Sequence, residues 1–175
     1  VGDIGNGKGC KLLYKELEEN IINTSFDTLA FHYFQPEVTL FKKVIAEISK
    51  MPKRPTLIAD AGFMYVAKMG GDARFFDLFT PDAGELAYLA DEKAPHPFYT
   101  RGFILHEDNQ VPDLIKRAYQ HNNAASHLLV KGSKDYVADK DGIIEIIENP
   151  IVETLEPIGG TGDTLTGIVS ALVAS

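Results

Sequence analysis

Gly159-Gly160-Thr161-Gly162-Asp163, near the C-terminal end of the chain, leads into a small and apolar run from Thr164 to Ala174. Glycines entering a helix-length apolar segment predict a loop that turns into a helix. The N-terminus of such a helix exposes unpaired N–H groups and a partial positive charge. Glycines let a phosphate approach those N–H groups closely. A carboxylate at that place does not help to hold phosphate, which it repels. It suits a base that takes a proton from a hydroxyl attacking a phosphoryl group. Asp is also a good helix N-cap, contributing about 1 kcal/mol to the first turn, so this segment alone supports both a base and a cap.

Three other clusters have residue types that do chemistry. Thr80-Pro81-Asp82-Ala83-Gly84-Glu85 sets two carboxylates three residues apart. On a helix these share a face and can hold a hydrated Mg²⁺, which keeps several waters and takes few protein ligands. They equally suit the positive start of a helix. Val130-Lys131-Gly132-Ser133-Lys134 follows an apolar run, and its lysine and glycine can border a nucleotide or form a plain solvated turn. Asp60 ends the short apolar run Thr56 to Ala59.

The elements that must position these residues alternate between helical and extended patterns. Helices are expected over Lys8 to Asn20, from Pro36 with Val38, Phe41, Val44, Ile45 and Ile48 at helical spacing, over Met64 to Met69, Asp82 to Ala90 and Val111 to Asn122. Strands are expected over Thr28 to Phe34, Thr56 to Asp60, Arg74 to Thr80 and His127 to Lys131. A hairpin of Asp135 to Ala138 and Ile143 to Ile147 is expected around Asp141-Gly142. Asp91 to Asn109 reads as a long loop. The alternation predicts an α/β fold with a mostly parallel sheet covered on both faces, made mixed by the late hairpin. Ligands of open α/β sheets sit beyond the C-terminal ends of the strands. All four clusters follow predicted strands, so they are expected to share one edge of the sheet.

Composition narrows the classes. The 175 residues are 45% hydrophobic and 24% charged, which fits one domain over residues 1–175, here read as cut at one or both ends because it opens on Val1 and stops soon after Asp163. The net charge of −8 argues against nucleic acid or an anionic membrane surface as partner. One cysteine, Cys10, excludes an intrachain disulfide and a Cys-based zinc site; it is expected to be a small buried helix residue. With no membrane-length apolar run and no signal peptide, a cytoplasmic location is expected. Homo-oligomerisation is left open.

These segments, in this order, resemble the ribokinase-like superfamily, and most closely its NAD(P)H-hydrate dehydratase branch, whose members are often labelled carbohydrate kinases. The resemblance rests on Ile58-Ala59-Asp60-Ala61, Thr80 to Glu85, Leu129-Val130-Lys131-Gly132, and Gly159 to Asp163 with Leu165, Thr166 and Gly167, and covers about Pro55 to Ala171. It implies a three-layer α/β/α sandwich. It also implies an enzyme that uses ATP or ADP with Mg²⁺ to repair hydrated NADH or NADPH by phosphorylating a hydroxyl and eliminating phosphate. By the same likeness, Asp163 is the base, and the N–H groups around Gly160, Thr161 and Gly162 stabilise the transferring phosphoryl. Lys131, Gly132, Ser133 and Gly159 border the nucleotide. Asp60, Asp82 and Gly5 lie on the substrate side, and Glu85 with Asp82 organises Mg²⁺ through water.

The chain departs from that pattern. The dehydratase branch usually has His where Asp82 stands; Asp there is closer to the Asn of a kinase-type Asn-x-x-Glu motif. A small-molecule or sugar kinase is therefore the main alternative, and a non-catalytic nucleotide-binding module the third. The family's glycine-rich N-terminal opening is replaced by Gly2 to Gly9. Gly2 to Lys8 fits the P-loop spacing, but Gly9 stands where a magnesium-binding hydroxyl is needed. The histidines at 32, 96, 106, 121 and 127 show no metal spacing; His32 and His127 are expected to pack within strands. Tyr65, Tyr88 and Tyr99 suit core, rim or substrate platform equally, and Phe75, Phe76 and Phe79 read as a buried strand.

Overall fold

The structure is a computed structural model that describes residues 8–32, 35–97, 110–155 and 158–175. Gly2, Gly5, Gly7 and Tyr99 lie outside the described residues, as do the later part of the expected long loop with His106 and the side chains of Lys8 and Cys10.

One sheet carries six strands in sequence order: β1 (Thr28–Phe31), β2 (Thr56–Ala59), β3 (Leu78–Phe79), β4 (His127–Val130), β5 (Asp135–Asp139) and β6 (Gly142–Ile147). β1 to β4 are parallel, with Ala59 beside Phe31 and Phe79 beside Leu128. β5 and β6 run antiparallel. The helices are α1 (Lys8–Asn20), α2 (Val38–Ile48), α3 (Gly62–Gly70), α4 (Ala83–Ala90), α5 (Val111–Gln120) and α6 (Thr161–Val173).

Strand alternation divides the core between the two faces. Phe31, Leu57, Ala59, Phe79, Leu128 and Val130 join the main core with α1 to α5. Ile58, Leu78 and Leu129 point the other way, where Val169 of α6 packs on them. α2 buries Phe41, Val44, Ile45 and Ile48, the spacing of one helical face. Phe31 stacks on Phe63 of α3 with ring centroids 4.1 Å apart and planes within 5°, and Phe41 meets the same ring edge-on at 5.4 Å. Aromatic pairs add about 0.5–1.5 kcal/mol beyond the area they bury, so the ends of β1 and β2 stand on a firm base. α3 stops where Gly71 turns left-handed at φ 76, as expected from Gly70-Gly71. The hairpin turns at Lys140–Asp141, with Asp139 Oδ1 accepting from the N–H groups of Asp141 (2.8 Å) and Gly142 (3.2 Å). β6 leaves Ile143, Ile144, Ile146 and Ile147 exposed.

The strand expected over Arg74 to Thr80 is reduced to two residues, preceded by a 3-10 turn at Ala73–Phe75. Asp77 and Arg54 explain this. Asp77 Oδ2 accepts from Leu57 N (2.7 Å) and from the Arg54 guanidinium (2.7 Å), so a side chain takes the place of a ladder contact. The same guanidinium lies 5.1 Å over the Phe75 ring. Phe76 and Phe79 are fully buried as expected, whereas Phe75 is half-buried. No helix among the described residues is long and apolar enough to cross a membrane.

Candidate functional site

The site lies where β1, β2 and β4 end and α6 begins. β2 delivers Asp60 directly after Ala59, and the chain then turns sharply: Ala61 has φ 46 and ψ −128. A non-glycine residue at positive φ is strained, and such strain concentrates at functional sites. The turn lets Ala61 N donate to Asp60 Oδ1 at 3.0 Å.

Asp60 is 1% exposed. A buried carboxylate needs partners, and four surround it. Besides Ala61 N, Lys131 Nζ lies 3.0 Å from Oδ1 and 3.2 Å from Oδ2, Thr166 Oγ1 donates to Oδ2 at 3.0 Å, and His32 Nδ1 stands 3.3 Å from Oδ2. Thr166 also shares a hydrogen bond of 3.1 Å with Thr80. The loop after β2, the loop after β4 and the second turn of α6 are thus tied to one carboxylate. Asp60 forms the buried floor of the site.

Lys131 follows β4 and sits beside Asp82, its N–H donating to Pro81 O at 2.8 Å. Its ammonium lies against the first turn of α6: a Cβ added at Gly162 would come within 3.5 Å of Nζ. The ammonium and the free N–H groups of the helix start therefore face the same volume. Gly160 is the N-cap of α6, left-handed at φ 90, and no side chain caps it. Asp163 is thus not the cap. It stands in the first turn, and its Oδ1 pairs with His32 Nε2 at 2.9 Å. Gly159 and Ser133 are exposed, and Gly132 N donates to Asp135 Oδ1 at 3.0 Å in the turn into β5.

Asp82 and Glu85 form a capping box at the start of α4: Glu85 N donates to Asp82 Oδ1 (2.7 Å), and Asp82 N to Glu85 Oε2 (2.9 Å). The helix-start reading of this pair therefore holds. Tyr65 donates to Glu85 Oε1 at 3.1 Å. Burial, with Asp82 and Asp60 adding to it, pushes the Glu85 carboxyl up to about 8. Burial and the nearby Glu85 also raise the Tyr65 hydroxyl far above its ordinary range. An all-oxygen, acidic donor set of this kind fits a hydrated Mg²⁺.

That shift has a measurable consequence. A carboxyl raised from 4.5 to about 8 keeps its full contribution to stability below the lower value and loses it as pH rises through the upper one. Glu85→Gln preserves an oxygen for Asp82 N and removes the titration. Urea unfolding without metal at about pH 5.5 and about pH 9 is expected to show parent and variant close at the lower pH and the variant more stable at the higher. Added Mg²⁺ is expected to stabilise only the parent. A parent whose stability relative to the variant is unchanged between the two pH values would contradict the buried-carboxyl account.

Sequence reasoning missed His32. It was expected to pack within a strand, but it follows β1 and joins Asp60 and Asp163, with one ligating atom from each of the three within 4.8 Å of the others. Its partner in α6 is 131 residues away, so no local spacing could reveal it. Thr166 entered only as part of the helix motif, and Tyr65 only as one of three tyrosines suited equally to core, rim or substrate platform. Two concavities lie elsewhere, one between α1 and α2 and one beside the β5–β6 turn. The candidate site is an open edge of the sheet.

The family model for NAD(P)H-hydrate dehydratase matches residues 37–175. The chain belongs to the NAD(P)H-hydrate dehydratase family. An uncharacterized protein of Methanocaldococcus jannaschii is 46% identical over 175 residues, covering 99% of this chain and 71% of that protein. A mutant of phosphofructokinase-2 from Escherichia coli has the same fold at a TM-score of 0.63 and 18% identity, over 92% of this chain. The chain spans 49% of that kinase's length. The ribokinase-like fold expected from the motifs is therefore the one found, and the chain is a member of an enzyme family of the carbohydrate-kinase type.

Proposed function

We propose that the protein repairs hydrated NADH or NADPH, using ATP or ADP and Mg²⁺. The observation that carries this reading is the placement of Asp163. It stands in the first turn of α6, behind the left-handed Gly160, in the same turn whose Gly162 lies against the Lys131 ammonium. That arrangement offers a base and an anion-stabilising surface side by side.

Asp163 takes the proton of the substrate hydroxyl as its oxygen bonds to the terminal phosphorus and the bond to the leaving nucleotide oxygen breaks. The N–H groups of Gly160, Thr161 and Gly162 and the helix dipole hold the charge that develops on the phosphoryl oxygens. Lys131 neutralises part of that charge and, with Gly132, Ser133 and Gly159, borders the nucleotide. Asp60 holds the Lys131 ammonium in place. Glu85 and Asp82 would hold Mg²⁺ through water, and the ion, when bound, neutralises phosphate charge. Departure of phosphate from the phosphorylated carbon, with loss of a proton from the adjacent ring carbon to solvent, then restores the double bond.

A kinase that releases its phosphorylated product is favoured by one observation: Asp82 stands where the dehydratase branch usually carries His. Phosphorus NMR of the reaction of the naturally occurring protein with hydrated NADH, Mg²⁺ and ATP or ADP separates the two. Free inorganic phosphate in step with nucleotide consumption supports the dehydratase. A phosphate ester that persists, or turnover only with other alcohols, supports the kinase. Nucleotide binding without either product would leave a binding module.

A further inference from the structure

The Asp163 side chain is 45% exposed, and an exposed carboxylate on a helix surface samples several rotamers. Here it is restrained by a ring from the far side of the chain. His32 directly follows Phe31, whose own ring is stacked on Phe63, so the imidazole stems from a rigid point. The ring is 23% exposed: Nε2 shares a hydrogen bond of 2.9 Å with Asp163 Oδ1, and Nδ1 stands 3.3 Å from Oδ2 of the buried Asp60, outside hydrogen-bond geometry. The second Asp163 oxygen faces the glycine loop, since a Cβ added at Gly160 would meet Oδ2 at 3.9 Å. One oxygen is therefore occupied, and the other is turned toward the anion-stabilising loop.

We propose that His32 is a positioning residue. By holding Oδ1 it commits Oδ2 of Asp163 to the hydroxyl proton. His32 touches no substrate in this account; it acts through Asp163. The inference rests on the proposed role of Asp163 as base, and its test has one readout that does not require turnover.

The experiment uses the naturally occurring protein and its variants His32→Ala, His32→Gln, His32→Asn and Asp163→Asn. Imidazole ¹⁵N NMR reads the contact itself: Asp163→Asn is expected to move the His32 Nε2 resonance and leave the other histidines unchanged. An unmoved His32 resonance overturns the proposal whether or not the protein turns over hydrated cofactor. Kinetics read the consequence. His32→Ala is expected to lower kcat by about 10–100-fold with KM within about 3-fold, the signature of a misplaced base. Gln can place an amide donor near the Nε2 position and Asn only near Nδ1. Recovery of much of kcat by Gln but not by Asn is therefore expected, and the Gln variant also guards against a folding defect in the alanine one. Equal loss in Gln and Asn, or a rise in KM with kcat unchanged, overturns it. If the parent shows no turnover at all, the proposed function falls, while the NMR result still decides the role of His32.

Discussion

Asp163→Ala is expected to lower turnover by about 10²–10⁴-fold, the range for loss of a positioned general base, while the protein stays folded. The side chain is half-exposed and caps nothing, because Gly160 occupies the cap position. Its removal forfeits a favourable charge near a helix N-terminus, about 0.3–1 kcal/mol, and leaves His32 beside Asp60. Nucleotide affinity is expected to be unchanged or tighter, since a carboxylate that repels phosphate has gone. Thermal unfolding, nucleotide titration calorimetry and single-turnover kinetics check the three parts separately. A variant that keeps parent-like turnover would remove Asp163 from the chemistry; one that loses nucleotide binding together with turnover would make it a structural residue of the loop.

Asp60 carries the second large effect. Asp60→Ala deletes the acceptor for Lys131, Thr166 and Ala61 N at a point that is 1% exposed. Lys131, whose side chain is 15% exposed, is left with its charge uncompensated. Breaking one side of a buried ion pair costs about 3–5 kcal/mol. The double variant Asp60→Ala with Lys131→Met removes both charges and is expected to recover much of that loss, because the penalty lies in the orphaned ammonium rather than in the missing attraction. Both variants are expected to lack turnover. Urea unfolding of parent, singles and double forms the cycle. Simple additivity of the two single losses would mean that the pair is not coupled and that Asp60 serves its backbone and threonine partners alone.

How far the fold could be read from sequence varies with the range of the determinants. α2 was legible because Phe41, Val44, Ile45 and Ile48 mark one helical face, and the β5–β6 hairpin because Asp141-Gly142 is a local turn signal. Asp60, Lys131 and Asp163 were found because each follows a strand or opens a helix, and topology brought them to one edge. β3 was overextended because its shortening depends on Arg54, whose guanidinium reaches Asp77 from 23 residues away. For Asp163, sequence could not choose between base and cap, since that depends on whether Gly160 takes the cap itself. His32 was invisible as a site residue: its relation to Asp60 and Asp163 exists only after β1, β2 and α6 have packed.

The central claim is that Asp163 works on a hydroxyl of a hydrated reduced nicotinamide. The most direct measurement follows absorbance in the reduced-nicotinamide band after hydrated NADH, Mg²⁺ and ATP or ADP are given to the naturally occurring protein and to its Asp163→Ala variant. The account predicts recovery of the band in the parent, dependent on one of the two nucleotides, and none in the variant. Recovery in both, or no recovery in a parent that binds nucleotide and Mg²⁺, would contradict it.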